Sequence, residues 1–228
     1  MKARLDHLVI AAATLDQGVQ WCEATFGVLP GPGGAHPLMG THNRLMKIGA
    51  ADSPRLYLEV IAIDPAAASQ RNPMRQRWFD LDDAALQATL EREGPRLVHF
   101  VAEVADVHAA VQMLSQERLD RGRVIEASRD TPAGRLSWQI TVRDDGQRLF
   151  YGALPTLIQW GPVHPSDSMS DSRVALRSLS IAHPRSTDLA SALRAIGLTG
   201  VSLANGAPDL HAVFETPRGT VALHSRGI

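Results

Sequence analysis

A single cysteine, Cys22, stands in 228 residues, which excludes an internal disulfide framework and suits a reducing compartment. No apolar run approaches the length of a membrane span, and no apolar leader lies between "MKAR" and the first strand-like run. The expectation is a cytoplasmic protein with no membrane partner. A surplus of one charge is also missing. The formal net charge is −1 and no basic stripe is present, so nucleic acid is not an expected partner. Aromatic residues make up only 5% of the chain. There is no Walker loop, no dinucleotide fingerprint opening a helix, no HExxH and no nucleophile elbow. What remains is 44% hydrophobic residues, enough for one generous core or two small packed modules.

The organisation is that of a repeat. "RLDHLVIAA" (4–12) alternates as a strand. "TLDQGVQWCEATFGV" follows with helical spacing, a capping pair in Thr14 and Gln17, and Gly27 to end it. A Gly/Pro loop then leads to two strand-like runs, "THNRLMKIG" and "RLYLEVIAI". The same order returns in "RLVHFVAEV", the helix-like "ADVHAAVQMLSQERL", and the strand-like runs "GRVIEASRD", "RLSWQITVRD" and "TLIQWG". Aligning "LDHLVIAA" with "LVHFVAEV" sets His7 on His99, with the helix caps Thr14 and Asp106 at equal offsets. A shorter copy starts near residue 176, with Ser178 at the histidine position and Leu223 near that of Glu59. The domain reading is a first βαβββ module over 1–64, a connecting loop and helix over 65–94, and a second module over 95–161. An exposed linker over 162–173 then precedes a partial third module over 174–228, which extends or covers a sheet or mediates a homodimer.

Alternation decides which side chains share a strand face. Leu5, His7, Val9 and Ala11 point one way, as do Tyr57, Glu59 and Ile61. Leu97, His99 and Val101 form the matching set, with Leu157, Gln159 and Gly161 on the last strand of the second copy. If the copies pack about a pseudo-twofold axis, His7, Glu59, His99 and Gln159 can converge. Two imidazoles and a carboxylate suit a divalent transition metal with open positions for substrate. The bland alternatives are structural histidines, an ion pair from Glu59 to Arg44 or Arg135, and a Gln159 that merely satisfies backbone groups. In "GGAHPLMGTHNRL", His36 belongs to the polar cluster, and Thr41 and Asn43 share a face suited to substrate recognition. Trp138 could wall a small-molecule pocket or sit in the core, and Trp160 is expected to face away from Gln159. "RNPMRQRWF" reads as a solvated connecting loop, and Cys22 as core.

"DHLVIAAATLDQGVQW", "GGAHPLMGTHNRLMKIG", "YLEVIAIDP", "LVHFVAEV" and "LPTLIQWG" resemble the glyoxalase-like group of the vicinal oxygen chelate superfamily, over roughly residues 4–165. The resemblance implies an α+β fold of paired βαβββ modules whose mixed sheets curl around a cleft. It also implies a divalent metal (Fe, Mn, Ni or Zn) held by His7, Glu59 and His99, acting as a Lewis acid on a small carbonyl- or hydroxyl-bearing substrate. Glu59 would be a ligand or the proton-shuttling base, and His36, Thr41, Asn43, Trp138 and Gln159 would contact substrate. Gln159 departs from the pattern, where a carboxylate is common. A metal-free protein that sequesters a small molecule is the alternative in the same fold.

Overall fold

The computed structural model describes residues 2–49, 53–67, 76–131 and 134–227. Its first unit runs β1 (Arg4–Ala11), α1 (Leu15–Phe26), β2 (Ala35–His36), β3 (Thr41–Lys47) and β4 (Tyr57–Ile63). After α2 (Ala84–Glu93), the second unit runs β5 (Arg96–Glu103), α3 (Val107–Gln116), β6 (Arg123–Thr131), β7 (Gly134–Val142) and β8 (Thr156–Trp160). In each unit the first strand lies parallel to the last, β1 with β4 and β5 with β8. The two units join antiparallel through β1 and β5, giving one sheet ordered β2-β3-β4-β1-β5-β8-β7-β6. At that seam Leu8 opposes Phe100, with His7 opposite Val101 and Val9 opposite His99. The repeat alignment of His7 with His99 is therefore a pseudo-twofold relation in space.

The helices start where local chemistry dictates. Thr14 accepts the Gln17 N–H at 3.1 Å and Asp106 accepts the Ala109 N–H at 2.9 Å, each satisfying a free first-turn donor. Gly27 ends α1 at φ +74°, a conformation that costs glycine little. Gly18 lets α1 settle onto β4, since a Cβ there would lie 2.3 Å from Val60 Cγ1.

The sheet separates two apolar layers. Leu8, Ile10, Leu58 and Phe100 pack outward with α1 and α3, whereas Val9, Ile61, Val101 and Ile158 face the concave side. Residues 76–93 close part of that concave side with Trp78, Phe79, Leu86 and Leu90. Within "RNPMRQRWF", Arg71 and Arg75 lie outside the described residues. Arg77 is pinned to Asp82 rather than left solvated.

The C-terminal unit comprises β9 (Ala175–Ala182), α4 (Ser186–Ala195), β10 (Val201–Ala204), β11 (Asp209–Thr216) and β12 (Gly219–His224). It repeats the element order but not the strand order: its sheet runs β10-β9-β11-β12, with β9 parallel to β10 instead of to its last strand. It joins the outer layer, where Phe214 meets Phe26 edge-on at 5.3 Å, and the Ala3 N–H donates to Ile196 O at 3.0 Å. No helix among the described residues is long and apolar enough to cross a membrane.

Phe214 is fully buried between the two sheets. Phe214→Ala is expected to cost about 3–5 kcal/mol, the usual range for a buried aromatic cut to alanine, seen as a lower urea midpoint with unchanged slope.

Candidate functional site

A β-bulge builds the site. Between Leu5 and His7 the pairing with β5 skips a residue, leaving Asp6 as the extra one. Parity flips across it: Leu5 packs with the outer layer, while His7 turns to the concave side. The bulge thereby brings two consecutive side chains together, and Asp6 Oδ1 lies 2.5 Å from His7 Nδ1. Strict alternation would have sent Asp6 to the opposite face, so sequence reasoning missed it. The signal was an Asp-His pair inside an apolar strand.

The other Asp6 oxygen, Oδ2, accepts from Trp160 Nε1 at 2.9 Å and from His164 Nε2 at 3.0 Å. The Ser166 N–H donates to His164 Nδ1, which sets the ring proton on Nε2 facing Asp6. Segment 162–173 is thus not simply an exposed linker, because His164, Pro165 and Ser166 are buried beneath the site. Its Pro/Ser/Asp composition serves a 3₁₀ turn that delivers an imidazole. Trp160 also overturns its expected orientation. Thr156, Ile158 and Trp160 are the residues of β8 that face the concave side.

From His7 the polar chain runs on to β4 and β3. His7 Nε2 sits 3.6 Å from Glu59 Oε2, and Glu59 Oε1 accepts from Asn43 Nδ2 at 2.5 Å. Asn43 Nδ2 is 3.3 Å from His36 Nε2, and His36 Nδ1 is 3.0 Å from Thr41 Oγ1. Neither Arg44 nor Arg135 pairs with Glu59; Arg44 is exposed and Arg135 donates to Ser128. The His7 ring stacks on Tyr57 at 4.5 Å.

Burial by itself would lower the His7 pKa. The hydrogen bonds and negative charges of Asp6 and Glu59 outweigh it and raise the pKa to about 9. Burial likewise opposes ionisation of Asp6 and Glu59, yet hydrogen bonds from His164 and His7 hold Asp6 below the ordinary carboxylate range, and His7 lowers Glu59. His36, desolvated and only partly compensated by Glu59, falls to about 4. An imidazolium is thus clamped between two carboxylates, with a neutral imidazole nearby.

His99 does not join this group. Its Nδ1 donates to Gly152 O at 2.9 Å, and its Nε2 accepts the Thr156 N–H at 3.0 Å. Phe79 lies over it at 5.2 Å, and burial together with the Arg121 charge holds its pKa well below the ordinary value. With the Nε2 lone pair committed, His99 cannot ligate a cation. The set His7, Glu59 and His99 does not fit a divalent metal, and no cluster of three such ligands occurs among the described residues. Register explains the mismatch with the expected quartet. Glu59 pairs with Val9, two residues past His7, and the corresponding partner of Val101 is Thr156. Thr156, not Gln159, is the counterpart of Glu59. Gln159 Oε1 instead accepts the Val107 N–H at 2.9 Å, satisfying a donor at the start of α3.

Two cavities meet here. One of about 40 Å³ is bordered by His7, Glu59, Asn43, His36 and Trp138. A larger cleft of about 830 Å³ shares His36, Trp78, Arg129, Trp138 and Trp160 with it, and Gln159 stands on its border. The expected residues His36, Thr41, Asn43 and Glu59 are therefore assembled around His7, with Trp138 as a wall. Cys22 is core, its thiol pushed up to about 12 by burial.

The family model described as Glyoxalase-like domain matches residues 5–197. No curated protein matches. Among solved structures, a hypothetical protein from Staphylococcus aureus superposes with a TM-score of 0.59 at 14% identity, over 97% of this chain and 85% of that one, a likeness of fold. Methylmalonyl-CoA epimerase from Streptomyces coelicolor gives 0.44 at 21% identity over 72% and 99% of the two chains. The enzyme from Mycobacterium tuberculosis gives 0.36 at 16% over 70% and 87%.

A histidine whose pKa is raised on folding stabilises the fold fully below its unfolded value, and that contribution is lost as pH rises through the folded one. His7 should therefore contribute below about pH 6.5 and lose its contribution through about pH 9. The loss is on the order of 3 kcal/mol. Urea unfolding across that window should show the decline in the wild type and a flatter profile in His7→Gln.

Proposed function

Because the chain belongs to the Glyoxalase-like domain family, we propose that it is a small-molecule enzyme moving a proton on a substrate that carries a carbonyl or hydroxyl oxygen. The observation that carries this reading is the buried pair of Glu59 and His7, 3.6 Å apart at the floor of an aromatic cleft. Glu59, ionised at neutral pH, takes a proton from the carbon beside the carbonyl. The electron pair released moves onto the carbonyl oxygen, and His7 Nε2–H donates to the oxyanion that develops. Return of the proton from Glu59 completes an exchange or isomerisation. Asp6 is a positioning residue, fixing the His7 ring through Nδ1 and keeping it protonated. Asn43 holds Glu59 Oε1, which leaves Oε2 on the His7 side. Thr41 orients His36 at the cleft wall. A divalent metal has no part in this scheme, because His99 is committed to Gly152 and Thr156.

A metal-free sequestering protein is the second reading, supported by the contrast between the 40 Å³ space at His7 and the 830 Å³ cleft above it. There the polar chain would serve as a hydrogen-bonded floor beneath a bound compound.

Incubation in D₂O with small carbonyl and α-hydroxycarbonyl compounds separates the two. The enzyme reading expects deuterium at the carbon next to the oxygen-bearing carbon, falling by about 10²-fold or more in Glu59→Gln with ligand binding retained. Binding without wild-type exchange would leave only the sequestering protein. Exchange should also survive EDTA treatment. Loss on chelation, with recovery on adding Fe, Mn, Ni or Zn, would restore a metal-dependent mechanism.

A further inference from the structure

Three buried N–H donors on two cleft-lining side chains have no acceptor. Nε and Nη1 of Arg129 and Nε1 of Trp78 are removed from solvent and make no hydrogen bond among the described residues. Buried donors are almost always paired, and an unpaired one costs the full desolvation of the group. All three belong to side chains that border both the 830 Å³ cleft and the small cavity over His7 and Glu59. They stand between the open pocket and the polar floor.

The surrounding structure holds these donors in place. Gly34 makes room for the guanidinium, since a Cβ there would lie 1.6 Å from Arg129 Nη1. Trp78 is 8% exposed, stacked on Phe79 and set edge-on to His36 at 5.0 Å. Charge on the walls has the same bias. Among the described residues Glu126 is the one carboxylate lining the large cleft, and it already accepts from Gln139, while Arg135 adds a second guanidinium. Trp138, Trp160, Ile125 and Ile140 give the wall an apolar stretch, beside the neutral polar side chains of Ser128, Ser137, Gln139 and Gln159.

We propose that the cleft binds a carboxylate on a flat apolar body, its oxygens taking the N–H groups of Arg129 and Trp78 while the body lies against Trp138 and Trp160. Nε and Nη1 lie on different edges of the guanidinium, so Arg129 meets the carboxylate with its charge and one orphaned N–H, and the indole N–H supplies the second donor. This deepens the reading of the cleft as a ligand site and names the substrate class: a small aryl- or alkyl-substituted organic acid.

Isothermal calorimetry with phenylacetate and mandelate, each against its neutral amide, tests the assignment on the whole chain. The acids should bind wild-type protein about tenfold or more tightly than the amides. That preference should vanish in Arg129→Met and shrink in Trp78→Phe. Arg129→Lys keeps the charge but loses the planar, fixed N–H, and should fall between wild type and Arg129→Met. Amides binding as tightly as acids, a preference surviving in Arg129→Met, or no saturable binding of either acid would each overturn the proposal. Arg129-dependent binding of acids without Glu59-dependent deuterium exchange would sustain it while removing the proton-transfer reading.

Discussion

The antiparallel seam between β1 and β5 governs the rest of the molecule. The two like units share one sheet because their first strands meet, and the meeting of Leu8 with Phe100 sets the register across the seam. That seam contains the bulge at Asp6. An unbroken ladder would have placed Asp6 among the apolar side chains of the outer layer, where a carboxylate has no partner. The extra residue instead turns it toward His7, Trp160 and His164, so that every Asp6 oxygen is bonded.

Burying Asp6 and Glu59 would be prohibitive without compensation, since neither can keep its charge in an apolar interior alone. His7 supplies that compensation to both, and Trp160, His164 and Asn43 satisfy the remaining oxygens. The same imidazole is thereby kept protonated and oriented. Fold stability and the character of the cleft floor are linked through one ring. The C-terminal unit has a quieter part: it covers the outer layer at Phe26 and Ala3 and leaves the concave side open.

Much of this was legible in the sequence. The repeat was visible because strand alternation and helix caps recur at equal offsets from His7 and His99, and the structure turns that offset into a pseudo-twofold axis. Thr41, Asn43 and Glu59 fall on one face because β3 and β4 pair without irregularity. Two of the misreadings trace to register. The Asp6 bulge changes face mid-strand, and its one mark in the sequence is the Asp-His pair inside an apolar strand. β8 was assigned the wrong parity, which exchanged Gln159 for Thr156 and turned Trp160 outward. His164 lay hidden in a segment whose composition says turn. The C-terminal strands alternate like the others, but nothing in alternation says which neighbour a strand will choose.

The equivalence of the two halves stops at their chemistry. His7 faces a carboxylate beside a cavity, whereas His99 faces the hydroxyl and amide of Thr156 under Phe79. One imidazole is presented to whatever enters, and its twin ties β5 to β8. Although the architecture is doubled, the stoichiometry is not: each polypeptide carries a single charged imidazole clamped between carboxylates beside a cavity.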